Sequence, residues 1–205
     1  MSTRRLALSS LTLLAALAVA GCQPSGPDKP AFKGVDLTGV DYARQLNLTD
    51  QDGRSRSLAD FKGKVVVVFF GYTQCPDVCP TTMAEVAEVK KSLGADGDKV
   101  QGVFVTVDPD RDTAQLLKAY ITAFDPSFVA LRGSEEQTKA AVKEFRAFYA
   151  KSPGKTPESY MVDHTAASFV FDTEGRVRVY VRYGAGAEPL AHDIKLLLAE
   201  AQTRK

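Results

Sequence analysis

Six consecutive apolar residues, Val65-Val66-Val67-Val68-Phe69-Phe70, run directly into Gly71-Tyr72-Thr73-Gln74-Cys75-Pro76-Asp77-Val78-Cys79-Pro80. An unbroken apolar run of this length predicts a strand buried on both faces, because a half-exposed strand would alternate. Pro76 and Pro80 suit the first turn of a helix. Thr82 to Leu93 continues that helix, with Met83, Val86, Val89 and Leu93 at helical spacing. Two cysteines therefore fall where a buried strand gives way to a helix. A helix N-terminus carries partial positive charge and free N–H groups, which favour thiolate over thiol. Positions i and i+4 share a helix face, so both sulfurs can point at one ion. A redox pair, a metal site and a structural bridge are all compatible with this spacing.

The remaining chain alternates strand and helix signals. Leu46 to Thr49, the Asp52-Gly53 turn and Arg54 to Leu58 predict an N-terminal hairpin. Gly102 to Val107 reads as a strand and Thr113 to Phe124 as a helix, with Leu116, Leu117, Tyr120, Ile121 and Phe124 on one face. Phe128 to Leu131 is a short strand. Ser134 with Gln137 three residues on predicts a capped helix reaching about Tyr149. Lys151 to Thr165 reads as a long loop. Ser168 to Phe171 and Val177 to Arg182 flank Thr173-Glu174-Gly175 as a hairpin, and Glu188 to about Gln202 closes the chain as a helix. Strands joined through helices imply a central mixed, mainly parallel sheet with helices on its faces. That is a thioredoxin-like α/β fold over residues 41–205. Functional groups on such sheets gather at the carboxyl ends of strands, where Cys75 lies.

The N-terminus reads as an address and not as fold. Arg4 and Arg5 precede an uncharged stretch from Leu6 to Ala20. Its length, about 15 residues, falls short of the roughly 20 that span a bilayer. Val19-Ala20-Gly21-Cys22 resembles a bacterial lipobox. The resemblance implies a signal peptide over residues 1–21, cleavage before Cys22 and lipidation of Cys22. Residues 22–40, with Pro24, Gly26, Pro27, Pro30, Gly34 and Gly39, read as a flexible tether. Of three cysteines, one becomes the anchor and the pair Cys75 and Cys79 remains. The location implied is the bacterial cell envelope, in a membrane-anchored protein facing an oxidising space. With 26 basic and 25 acidic residues, and two of the basic ones in the signal, nothing points to nucleic acid.

Three segments together resemble the Sco/SenC family of copper-binding, thioredoxin-like proteins. They are Phe70-Gly71-Tyr72-Thr73-x-Cys75-Pro76-Asp77-Val78-Cys79-Pro80-Thr81, Asp108-Pro109-x-Arg111-Asp112-Thr113 and Asp163-His164-Thr165. The resemblance implies that Cys75, Cys79 and His164 bind one copper ion. It also implies a metallochaperone that serves the copper centre of cytochrome c oxidase, with that copper-centre subunit and other copper carriers as partners. The chemistry agrees. Thiolates select Cu(I), and imidazole accepts Cu(I) and Cu(II) alike. Structural zinc normally takes four protein ligands, and no fourth is evident. In thioredoxin-like folds the loop before the late hairpin passes beside the cysteine turn. Redox members place a proline there; here the equivalent position falls near Ala166, and no proline stands between Pro157 and Pro189. The alternative is a thiol–disulfide oxidoreductase acting through Cys75 and Cys79 on cysteines of the oxidase or another exported protein.

Other residues admit plainer readings beside functional ones. Asp77 can hydrogen-bond a ligand or simply favour a helix start. Asp108 can support the site from behind, or Asp108-Pro109 can merely shape a turn while Asp112 caps a helix and Arg111 pairs with either acid. Met83 fits the core, and Met161 is a weak soft-ligand candidate near His164. Tyr72 and Phe70 are expected to wall the site. His192, in the last helix, is expected to be a bystander.

Overall fold

The computed structural model describes residues 31–154, 156 and 159–203. The signal, Cys22 and the first part of the tether lie outside the described residues. In chain order the strands are β1 (Val35–Asp36), β2 (Leu48–Asp50), β3 (Ser55–Arg56), β4 (Val65–Gly71), β5 (Val100–Thr106), β6 (Val129–Arg132), β7 (Tyr149–Ser152), β8 (Met161–His164), β9 (Ala167–Phe171) and β10 (Val177–Arg182). The helices are α1 (Val78–Ser92), α2 (Ala114–Thr122), α3 (Glu135–Glu144) and α4 (Ala187–Thr203). Among the described residues, no helix is long and apolar enough to cross a membrane.

Eight strands form one sheet in the order β1-β10-β9-β4-β5-β6-β2-β3. Its centre, β4-β5-β6, is parallel, and antiparallel strands extend both edges. Every residue of β4 and β5 is buried, as the unbroken apolar run requires. Successive residues of a strand face opposite ways, and β4 shows what each face holds. Phe70 meets Phe145, at the end of α3, with ring centroids 5.0 Å apart, and Phe169 at 6.3 Å. Phe69 instead meets Phe104 at 6.4 Å, which in turn meets Tyr120 of α2 at 5.3 Å. Met83 is fully buried, in the core as expected.

The predicted N-terminal hairpin forms as β2 and β3 around Gly53, whose φ of 81° needs glycine's freedom. Two features depart from expectation. Val35 and Asp36, within the stretch read as tether, pair with Tyr180 and Val179 and add an edge strand. The third helix stops at Glu144 and does not reach Tyr149. Arg146 takes φ 50°, its N–H bonds to the Lys143 carbonyl, and the Ala147 N–H reaches back to the Val142 carbonyl. This is a Schellman ending with arginine where glycine usually stands. The chain so released becomes β7, which pairs only with β8 in a separate two-stranded sheet. The stretch read as a loop over Lys151 to Thr165 thus holds the end of β7 and the whole of β8, with His164 at the end of β8.

Candidate metal centre

The cysteine turn hangs from the carboxyl end of β4. Cys79 is fully buried in the first turn of α1, while Cys75, in the turn before it, is half-buried. The Cys79 N–H donates to Cys75 Sγ at 3.4 Å, so a helix-end donor rests on the outer sulfur as the sequence reading required. Gly71 makes room for the inner one. A Cβ there would lie 2.7 Å from Cys79 Sγ and 2.9 Å from the Phe104 ring. Asp112 braces the turn: its carboxylate accepts from the Thr73 N–H at 3.1 Å and hydroxyl at 2.6 Å, and from the Thr106 hydroxyl at 2.5 Å. Burial raises the Asp112 pKa, and those hydrogen bonds oppose the rise. Asp112 therefore staples the turn to β5, and Thr113 caps α2 in its place.

His164 comes to both sulfurs. Its Nε2 lies 3.3 Å from Cys79 Sγ and 4.0 Å from Cys75 Sγ. The three ligand atoms all fall within 4.8 Å of one another. His164 Nδ1 sits 3.3 Å from the Thr165 carbonyl. A proton on Nδ1, donated to that carbonyl, is the tautomer that turns the Nε2 lone pair toward a metal; a proton on Nε2 is the one that hydrogen-bonds the Cys75 thiolate. The imidazole stands edge-on to Phe69 and Tyr72, at 5.7 and 5.9 Å. Tyr72 walls the site as expected, but Phe70 does not. Strand alternation sends Phe70 to the opposite face and brings Phe69 to the histidine. Six apolar residues in a row carry no parity signal, so the sequence could not separate the two.

The sulfurs differ in charge state. A hydrogen bond from the Cys79 thiol pulls the Cys75 pKa down to about 4, against the effect of burial and helped by His164 and by the Cys79 and Asp77 N–H groups. Holding that bond to Cys75, and being buried, pushes the Cys79 pKa up. One proton is thus shared between two sulfurs, and Cys75 carries the thiolate. A thiolate, a thiol that can ionise and an imidazole nitrogen make a soft set with two charges available to a cation.

The other candidates fall around this centre. Asp77 is exposed and accepts from the Thr81 hydroxyl and the Tyr183 hydroxyl, each at 3.3 Å. Asp108 is fully buried and touches neither sulfur; it accepts from Arg111 and, at 2.6 Å, from the Tyr160 hydroxyl. Tyr160 was not singled out from sequence, and nothing local marks it, because its partners lie 49 and 52 residues away. Met161 is exposed and accepts from the Tyr72 hydroxyl at 3.9 Å. His192 pairs with buried Asp193 at 2.9 Å, in the last helix.

The SCO1/SenC family pattern matches residues 36–199. The chain belongs to the SCO1/SenC family. It is 35% identical over 156 residues to the mitochondrial SCO2 homologue of Mus musculus, covering 75% of this chain and 61% of that protein. The chain thus spans less than two thirds of that relative's length. Among solved structures it is similar to Bradyrhizobium japonicum ScoI with copper bound, at 38% identity and a TM-score of 0.68, covering 75% of this chain and 97% of that one. It is also similar to a SCO1/SenC family lipoprotein from Bacillus anthracis, at 30% identity and a TM-score of 0.67, covering 82% and 99%. This SCO1/SenC chain thus has the thioredoxin-like fold that its strand and helix order predicted.

Proposed function

We propose that this chain is a copper carrier that holds one ion between Cys75, Cys79 and His164 and passes it on by ligand exchange. One observation carries the reading: the His164 Nε2 from the second sheet lies 3.3 and 4.0 Å from the two sulfurs that follow β4. Three soft donors satisfy Cu(I) and leave it open to an incoming thiolate or imidazole. The copper in the ScoI structure from B. japonicum supports the choice of metal. The resemblance supports the copper centre of cytochrome c oxidase as acceptor. The lipoprotein relative from B. anthracis supports an anchor at Cys22 and an extracytoplasmic location. Anaerobic titration with Cu(I) tests the reading: the expected end point is one ion per chain, with sharply weakened binding in His164→Ala. Uptake unchanged in that variant would defeat it.

The unequal exposure of the two sulfurs favours a second activity on the same residues. Half-buried Cys75 can attack a partner disulfide, forming a mixed disulfide and releasing one partner thiolate. Buried Cys79 then attacks Cys75, expelling the second partner thiolate and leaving an intramolecular disulfide. The partner is reduced, this chain is oxidised, and a thiol reductant must restore it.

A further inference from the structure

The histidine stands on the small β7–β8 sheet, and the cysteines on the turn and helix that follow β4 of the central sheet. Among the described residues the ladder bonds of β8 go to β7, and the central sheet does not extend into that pair. The distance from imidazole to sulfur therefore depends on whatever joins the two bodies beside the site. Arg111, from the turn between β5 and α2, makes the widest part of that join, beside the Tyr72–Met161 contact and the Lys151–Asp110 ion pair. Its Nη1 donates to Gln74 Oε1 at 3.2 Å, one residue before Cys75, and to the Tyr160 carbonyl at 2.9 Å, one residue before β8. Its guanidinium lies 3.7 Å from the centre of the Tyr160 ring and 5.6 Å from that of Tyr72. Its Nε donates to Asp108, which is fully buried and also takes the Tyr160 hydroxyl at 2.6 Å. The Asp108 N–H is in turn held by the Thr106 hydroxyl at 3.0 Å, which ties the cluster to β5.

We propose that Arg111, seated on Asp108, is a positioning residue that clamps the histidine strand to the cysteine turn and thereby slows the escape of bound metal. The inference rests on the copper reading above. It assigns a task to a group that touches neither sulfur nor imidazole. Arginine suits the task because a flat guanidinium offers donors along its edges while its face stacks on a ring. Lysine keeps the charge and can reach Asp108, but it cannot stack on Tyr160 and bridge Gln74 to the Tyr160 carbonyl at once. Arg111→Lys should therefore fail to restore the clamp.

The test uses the full 205-residue chain in detergent, loaded with Cu(I), with release followed by transfer to a Cu(I) chelator. Supporting partners of metal ligands are typically worth 10- to 100-fold, so Arg111→Ala and Arg111→Lys should each release copper about tenfold faster. Tyr160→Phe, which loses only the hydroxyl bond to Asp108, should produce a smaller acceleration. In a His164→Ala background the same Arg111 changes should add nothing, because the clamp acts through the histidine. Thermal melts confirm that each variant is folded. Release from Arg111→Lys at the wild-type rate would overturn the proposal, as would equal acceleration by Arg111→Ala with and without His164. If the unmodified chain takes up no copper, the carrier reading fails first and the clamp with it; normal uptake with unchanged release defeats the clamp alone.

Discussion

The two halves of the candidate metal centre are built by different means. The sulfurs belong to the central sheet: β4 is buried throughout, Gly71 admits Cys79 against Phe104, and Asp112 pins the turn from behind. The imidazole belongs to a small hairpin tied to its surroundings by the Arg111 cluster and the Lys151–Asp110 ion pair, and closed at its own base by the bond from the Phe148 N–H to the Thr165 hydroxyl. Packing thus fixes one half throughout, while the other is held by one core side chain, Val162, and a few polar contacts. The carrier role proposed above would use that asymmetry, because the donor that must let go is better placed on the element that is easier to move.

The comparison can be broken by disturbing each half alone. The largest effect is expected from the core. Phe70→Ala should cost about 3–5 kcal/mol of stability and leave copper affinity of the folded protein unchanged, since Phe70 faces away from the site. Phe69→Ala should cost a similar amount and also weaken copper retention, because it removes the ring against which His164 stands. Chemical denaturation paired with copper competition separates the two; equal effects on metal from both would contradict the assignment of faces. Next, Asp112→Ala leaves the Thr73 and Thr106 donors without their acceptor and should cost about 1–3 kcal/mol. It should also make Cys75 react faster with a thiol probe. An unchanged reaction rate would mean that the turn holds itself.

A pH series sharpens the contrast further. Burial pushes the Asp172 and Asp50 carboxyls up. Hydrogen bonds from Arg176 to Asp172, and from the Arg54 backbone and the Arg56 side chain to Asp50, more than offset this and leave both pKa values below 3.8. A carboxyl lowered by folding contributes stability above its unfolded pKa and loses it as pH falls through its folded value. Both groups brace the central sheet and neither touches the β7–β8 hairpin. Acid below pH 3.8 should therefore weaken the sheet, and Asp172→Asn should flatten that acid limb in denaturant melts. A limb as steep as wild type would remove Asp172 from the account. The smallest effect belongs to Thr165→Ala, which deletes one side-chain bond to the hairpin. It should cost about 0.5–1.5 kcal/mol and show as faster amide exchange at Phe148, with the central strands unchanged.

The same division explains what could be read from the sequence. The sheet, its helices and the sulfurs were legible because burial leaves a strong pattern: an apolar run, a strand-to-helix turn and helical spacing after it. The hairpin was not. Tyr149-Ala150-Lys151-Ser152 is half-buried or exposed without alternation, and Met161-Val162-Asp163-His164 alternates over only four residues with a single buried one, too short a signal to read as a strand. The helix before them ends on Arg146 in a conformation that glycine would have announced. Arg111 was legible only as half of a local ion pair, since Gln74 and Tyr160 lie 37 and 49 residues from it. His164 was found through its motif, and its reach to the sulfurs follows from a strand that the motif does not encode.

X-ray absorption on the full chain loaded with Cu(I) tests the central claim most directly. Two sulfur scatterers and one nitrogen scatterer should surround the metal, and His164→Ala should lose the nitrogen while keeping both sulfurs. A wild-type spectrum with sulfur alone, or a nitrogen shell that survives the loss of His164, would contradict it.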